Sequence, residues 1–194
     1  MANHNFDVVI LGGGSGGYAA ALRSAQLGKS VALIEKDKLG GTCLHKGCIP
    51  TKALLHSAEV ADVVRESAHY GVDSTFGAIN MPVVNKYRDS IIERLYKGLS
   101  GLVASKQVTL VSGMGKMVGA KTIQVGEDTY TGTNLILASG SYSRSLPGLE
   151  IGGRVITSEH ALALDYVPNK VIVLGGGVIG VDTQTRCNFR IQLN

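Results

Sequence analysis

The chain has 194 residues, a formal charge of +4 and a sequence pI near 9.0. Glycine supplies 26 residues, well above the usual ~7% share, while charged residues are 18% against a usual ~25%. With 44% hydrophobic residues, no low-complexity tract and no apolar run near the ~20 residues of a membrane helix, disorder and membrane spanning are excluded as readings. The 19 Lys and Arg are scattered, so nucleic acid finds no basic stripe. The N-terminal segment lacks the basic start and small-residue cleavage site of a signal peptide, which makes a cytoplasmic chain the expectation. Three Cys in a reducing compartment then read as redox, catalytic or structural thiols.

Phe6–Leu11 is a β-branched run ending on glycines. Ser15–Gly28 carries small and apolar residues at helical spacing, and Ser30–Glu35 is a second buried strand, which completes a βαβ unit. A long helix is expected from about Thr51 to Ala68. Another begins near Asn80 as N-cap with Pro82 in its first turn and a stripe of Val84, Tyr87, Ile91, Leu95, Leu99 and Leu102. Val108–Val111, Thr122–Val125 and Asn134–Ala138 read as strands, with Gly126 and Gly132 as the turns between them. A short capped helix over Ser158–Leu164 and Pro168 lead to a further strand, Val171–Leu174. The Pro and Gly punctuation at Pro147–Gly153 marks a boundary. The expected architecture is α/β, doubly wound, with a first domain over 1–145, a connector over 146–170 and an incomplete second dinucleotide-binding domain over 171–194.

Gly12-x-Gly14-x-x-Gly17 lies between the first strand and helix, and Glu35 ends the next strand 23 residues after Gly12. The first Gly permits the tight turn, the second lets backbone approach a pyrophosphate, and the third lets helix pack on strand. The helix N-terminus supplies N–H groups for phosphate, and Glu35 is placed to accept hydrogen bonds from a ribose hydroxyl pair. A second copy, Gly175-x-Gly177-x-x-Gly180, follows Val171–Leu174, so two dinucleotide sites are expected. A P-loop is excluded at Gly28-Lys29-Ser30, because Arg23 stands where its first Gly is required.

Cys43 and Cys48 are five residues apart. In one regular helix their Cα atoms would be about 8–9 Å apart, beyond the ~7 Å limit for a bridge. They pair only if the turn is distorted, with Gly47 and Pro50 as the residues to distort it. Two buried thiols that never pair is the other reading of the spacing. Cys48 near a helix start, with Lys46 and Lys52 close in sequence, has its thiolate favoured.

The run from Gly40 to Lys52, GGTCLHKGCIPTK, resembles the redox-disulfide signature of the FAD-dependent pyridine nucleotide disulfide oxidoreductases. With Ala53–Glu59 after it, the wording is most similar to the branch that oxidises dihydrolipoamide with NAD. The glutathione and mercuric reductase branches are the alternative, and a flavin-binding chain without turnover is another. The resemblance covers residues 6–180, including Ala138-Ser139-Gly140-Ser141 and Gly115, which it places near the flavin and on its adenine side respectively. It implies that Gly12, Gly14, Gly17, Glu35, Lys36, Gly41 and Thr42 hold FAD, and that Cys43 is the thiol exchanging with lipoamide. Cys48 would face the flavin and Lys52 would lie beside it as a cation, where a solvated helix lysine is the plainer reading. Gly175, Gly177 and Gly180 would begin an NAD site. The implied partners are a lipoamide-bearing protein of a 2-oxo acid dehydrogenase complex and, in the family, a second copy.

Family chains run to more than twice this length and, after the second turn, carry a Glu that pairs with the lysine matched by Lys52. Here Asp182 stands there, one methylene shorter, and Cys187, Phe189, Ile191 and Leu193 alternate with polar residues at strand rather than helix period. A truncated or frame-shifted end, no helix after Gly180 and no appreciable NAD-linked turnover are therefore expected, with Cys187 an incidental thiol. His45 reads as a solvated loop residue or one that approaches a thiolate, and His56, His69 and His160 have no metal-ligand spacing.

Overall fold

The structure, a computed structural model, describes residues 2–187. It divides into two compact units, one built from the residues up to His45 and from Arg94–Tyr142, the other from Lys46–Glu93 and the chain from Ser143 onward.

The first unit is a six-stranded sheet in the order β3-β2-β1-β6-β5-β4. Its strands are β1 (Asn3–Leu11), β2 (Val31–Glu35), β3 (Thr109–Ser112), β4 (Gly115–Gly119), β5 (Thr122–Val125) and β6 (Asp128–Leu137). β3, β2, β1 and β6 run parallel, and β5 and β4 continue the sheet antiparallel. β2 is buried at Val31, Ala32, Leu33 and Ile34 with no alternation, the pattern of a parallel strand covered on both faces. On one face Val8, Ile10 and Leu33 pack with Ala21 of α1 (Ser15–Gln26) and with Val103. On the other, Val9, Ala32 and Ile34 pack with Ile123. Val9, Ile10, Leu33 and Ile123 are fully buried, and burial of such side chains contributes about 1.5–3 kcal/mol each.

In the second unit lie α3 (Cys48–Glu66), a 3-10 turn at Ser67–Tyr70, α5 (Ser158–Leu162) and α6 (Val178–Cys187). α2 (Gly41–Lys46) precedes α3, and α4 spans Met81–Ser105. Asn80 caps α4 as expected, its Oδ1 accepting from Val83 N at 3.2 Å. Asn85 then donates to the Leu164 carbonyl at 3.1 Å.

Several expectations are corrected. Gly132 is not a turn but lies inside β6 opposite Phe6, where a Cβ would press on Asn134 O and on Val9 N at 3.0 Å. A glycine there lets β6 lie close against β1. The stripe of α4 is corrected in part: Tyr87, Leu95 and Leu102 are 40%, 40% and 45% exposed, whereas Leu99 of the expected stripe packs on the core together with Tyr96 and Val103. Tyr96 and Val103 lie at helical spacing from Leu99, so tertiary packing shifted the inward face around a residue the stripe already contained. Val171–Leu174 forms no strand, and Ile172 is 96% exposed. A strand exists only through its ladder, and among the described residues none pairs with this segment. The helix that was not expected after Gly180 is present, because α6 begins at Val178 and includes residues 181–187. The readings of the Cys187 thiol and of Phe189, Ile191 and Leu193 fall outside the described side chains and residues. No helix among the described residues is long and apolar enough to cross a membrane.

Candidate functional site

The first glycine turn sits at the carboxyl end of β1, with the ends of β2 and β6 on either side. Gly12 has φ +105° and donates to Ile34 O at 2.8 Å. A Cβ on Gly12 would strike Ala138 O, and one on Gly17 would strike Gly12 O. These two glycines are therefore required by backbone-to-backbone approach. Gly14 is the N-cap of α1, with no side chain capping it and no acid in the first turn. A helix leaves its first N–H groups without intrahelical acceptors, and its N-terminal dipole favours an anion there.

Glu35 is held by two backbone donors: Gly13 N gives to Oε2 at 2.6 Å and Asp37 N to Oε1 at 2.9 Å. Each carboxylate oxygen has two lone pairs, so both retain capacity for a ligand hydroxyl. Gly40 N donates to Gly13 O at 2.9 Å, and a Cβ on Gly41 would come within 2.8 Å of Gly14 Cα. The segment that leads to Cys43 is thus laced to the glycine turn. Ser139 and Gly140 follow β6, and Ser139 Cα lies 3.2 Å from where a Gly12 Cβ would be. Lys36 and Thr42 are exposed near these groups in sequence. Gly115, expected toward the adenine, faces inward: a Cβ there would meet Leu11 Cδ1 at 2.5 Å and Ile123 Cγ2 at 2.9 Å.

The structure thus gathers Gly12, Gly14, Gly17, Glu35, Gly41 and Ser139 within one unit. Lys52, Gly175, Gly177 and Gly180 belong to the other. Sequence reasoning passed over Gly13 and Gly40. For Gly13 the signal was present in the run Gly12-Gly13-Gly14, because a Cβ on it would press within 2.8 Å of Leu39 and 3.1 Å of Glu35.

The cysteines do not share a helix. Cys43 lies in α2 and is half-buried, Cys48 opens α3 and is exposed, and Gly47 separates the helices at φ −148°, ψ −111°. The break falls at Gly47, one of the two residues expected to distort the turn, and Cys48 is exposed rather than buried. Pro50 sits in the first turn of α3, where its missing N–H is harmless. His45, read as a solvated loop residue, instead lies in α2, half-buried, with Nε2 2.8 Å from Leu39 O and its ring edge-on to Tyr96.

In the second unit Lys52 Nζ donates to Asp182 Oδ2 at 3.0 Å. The shorter acid therefore still reaches its lysine, because α6 is formed and packs on α3. Lys46 Nζ meets Glu159 Oε1 at 2.7 Å. The second glycine turn repeats the closure of the first: Gly175 has φ +110°, and a Cβ on Gly180 would strike Gly175 O.

A parallel sheet whose first βα turn leaves a helix N-terminus open beside a backbone-held acid defines a doubly wound dinucleotide-binding protein. The family model for pyridine nucleotide-disulphide oxidoreductases matches residues 6–187, and the chain belongs to that family. It is 44% identical over 191 residues to a dihydrolipoyl dehydrogenase of Bacillus subtilis, an alignment covering 91% of this chain and 40% of the relative. Proteins of the same name from Chlamydia trachomatis and Staphylococcus aureus are each 39% identical, over 93% and 92% of this chain and 40% and 39% of theirs. The chain spans about 40% of the length of these curated relatives.

Proposed function

We propose that this chain carries the flavin-holding, disulfide-exchanging part of a dihydrolipoyl dehydrogenase, acting on the lipoamide of a 2-oxo acid dehydrogenase complex. In this reading residues 1–145 hold FAD, 146–170 connect, and 171 onward begin the NAD-binding part. The observation that supports it most is the turn at Gly12–Gly17 with Glu35 held by Gly13 N at 2.6 Å. The residues fit FAD: the N–H groups opening α1 take a pyrophosphate oxygen, Glu35 takes the ribose hydroxyls, and Gly12, Gly41 and Ser139 keep the approach free of side chains. FAD, when bound, supplies a two-electron acceptor for the reduced cysteine pair.

The thiol chemistry belongs to the chain. A dihydrolipoamide thiolate attacks Cys43 Sγ of the Cys43–Cys48 disulfide, forming a mixed disulfide and releasing Cys48 as thiolate. The second lipoamide thiol then attacks the lipoamide sulfur of that mixed disulfide. Lipoamide closes as a cyclic disulfide and Cys43 leaves as thiolate. Dihydrolipoamide loses two electrons and two protons. In the whole reaction NAD takes a hydride and one proton goes to solvent. Lys52, paired with Asp182, is held as a fixed cation on the face of α3 one turn beyond Cys48.

Titration of the purified chain with FAD and with NAD, followed by intrinsic fluorescence and absorbance, tests the reading. FAD is expected to bind more tightly, and tighter NAD binding overturns the assignment of the first turn. Peptide mapping after mild oxidation and alkylation is expected to recover Cys43 joined to Cys48. Recovery of both as alkylated thiols from folded, oxidised chain overturns the exchange mechanism.

A further inference from the structure

Cys43 stands in α2, a helix of six residues, and a helix that short is not stable by itself in water. The contacts that hold it therefore place the thiol. Its entry is laced to the glycine turn by Gly40 N, which donates to Gly13 O at 2.9 Å, and its middle is anchored by the buried Leu44. The last turn is held by a side chain. His45 Nε2 reaches back at 2.8 Å to the carbonyl of Leu39, the buried residue ahead of Gly40 and Gly41, and its ring stands edge-on to Tyr96 with centroids 5.4 Å apart. We propose that His45, through its hydrogen bond to Leu39 O, is a positioning residue that holds the Cys43 thiol where it pairs with Cys48. This rests on the reading of Cys43 and Cys48 as the exchanging pair, and adds the residue that sets how readily they join.

A carbonyl only accepts, so Nε2 carries the hydrogen of this contact. Leu39 and Tyr96 are fixed points for it, since Leu39 is 3% exposed and belongs to the core cluster against which Tyr96 packs. Lys38 Nζ, 5.8 Å from the centre of the Tyr96 ring, makes a further contact with that ring. All of these groups belong to the first unit. The hydrogen bond joins residues six apart and closes a loop over Gly40–Leu44, with Cys43 inside it. Two residues beyond His45 the chain breaks at Gly47, and Cys48 follows. Without the bond the last turn of α2 loses its side-chain anchor, and the reduced thiols sample a wider range of separations. Joining two points of one chain costs the conformational freedom that closure removes. A tether that already restricts the reduced chain lowers this cost and so favours the disulfide.

The test is the equilibrium of the purified chain with glutathione over a series of reduced-to-oxidised ratios, the Cys43–Cys48 fraction being read by acid quenching, alkylation and peptide mapping. In this exchange the Cys43 thiolate attacks oxidised glutathione and releases one glutathione thiolate. The Cys48 thiolate then displaces the second from the mixed disulfide, so the chain loses two electrons and two protons and two molecules of reduced glutathione form. His45→Phe keeps a ring beside Tyr96 but has no donor. It is expected to lower the equilibrium constant for pairing about fivefold, the worth of one net hydrogen bond, which raises the potential by ~20 mV. His45→Ala is expected to do the same, whereas His45→Gln, whose amide N–H reaches about as far as Nε2, is expected to stay within about twofold of the parent. A merely structural contact, alike in the oxidised and reduced chain, would lower stability to urea in His45→Phe and leave the glutathione equilibrium unmoved. That result overturns the proposal, as does His45→Gln pairing no better than His45→Ala. A parent chain that forms no Cys43–Cys48 disulfide at any ratio overturns the exchange reading and this inference with it, so the two failures are told apart. Circular dichroism of each variant confirms that folded protein is compared.

Discussion

The two glycine turns differ in what surrounds them, although each closes in the same way. In both, the first Gly has positive φ and the last would strike the first one's carbonyl if it carried a Cβ. The turn at Gly12 is preceded by a strand paired on both sides and followed by a helix against a buried core. The turn at Gly175 follows a segment with no ladder among the described residues, with Ile172, Leu174, Val178 and Ile179 exposed. Six residues of local sequence are thus enough to shape a turn and start a helix. The strand in front, and the acid at the end of the next strand, require partners far away in sequence.

The largest effect that separates the regions is expected from truncating an isoleucine in the segment that leads into each turn. Ile10 in β1 is fully buried, and Ile10→Ala is expected to destabilise the chain by about 2–5 kcal/mol, the range for an aliphatic deletion in a close-packed core. Ile172 is 96% exposed, and Ile172→Ala is expected to stay within ~0.5 kcal/mol. Urea denaturation followed by circular dichroism checks both. A loss of more than ~1 kcal/mol at Ile172 would show that the second segment is packed and ordered like the first, erasing the comparison.

This contrast also explains what could be read from the chain alone. The βαβ start was legible because strand, turn, helix and strand are contiguous, and Glu35 falls at the strand end by counting. β4 was not, because Gly115 and Gly119 bound a stretch with little β-propensity that is a strand only by pairing with β5. Gly132 was mistaken for a turn since nothing local distinguishes a glycine that ends a strand from one that lets two strands approach. Val171–Leu174 was read as a strand from its composition, where a ladder was needed. At the site, the separation of the cysteines by Gly47 was legible, whereas the carboxylates on Lys46 and Lys52 come from residues more than a hundred positions away.

The glycines sharpen the comparison at smaller scale. Gly17→Ala drives a Cβ into Gly12 O within a turn clamped by Ile34 and Ala138, and overpacking of this kind costs about 1–3 kcal/mol or more. Gly180→Ala meets the same local obstacle, but the preceding segment has no ladder to hold it and can yield. Its cost is expected to be under ~1 kcal/mol, and FAD affinity is expected to fall for Gly17→Ala alone. Equal losses of stability in the two variants would mean that the turn's own geometry, rather than the sheet around it, governs its rigidity.

The smallest expected effect lies at the opposite end of the first βαβ unit, where Asp7 joins β1 to the residue that leads into β2. Ser30 N donates to Asp7 Oδ2 at 2.8 Å, the Ser30 hydroxyl donates to the same oxygen at 2.9 Å, and Asp7 N donates back to Ser30 Oγ at 2.8 Å. The backbone hydrogen bond from Ser30, then its hydroxyl, with a smaller contribution from Lys29, hold the Asp7 carboxyl below its ordinary value of 3.8. A carboxylate whose pKa is depressed by folding stabilises the folded chain above the unfolded value, and that contribution disappears as pH falls through the folded value. The clamp is therefore expected to be intact at neutral pH and to weaken as pH drops below about 3.8. Asp7→Asn keeps an oxygen to accept the Ser30 bonds but cannot titrate. Urea denaturation of the two chains between pH 7 and pH 3 is expected to show parent stability exceeding the variant's by a margin that narrows only at the acidic end. Because the Asp7–Ser30 hydrogen bonds are solvent-exposed, the margin is expected to be small throughout. A margin constant across the whole range would assign the clamp to hydrogen-bond geometry alone, and the first turn would then differ from the second by its sheet and not by any charge at its base.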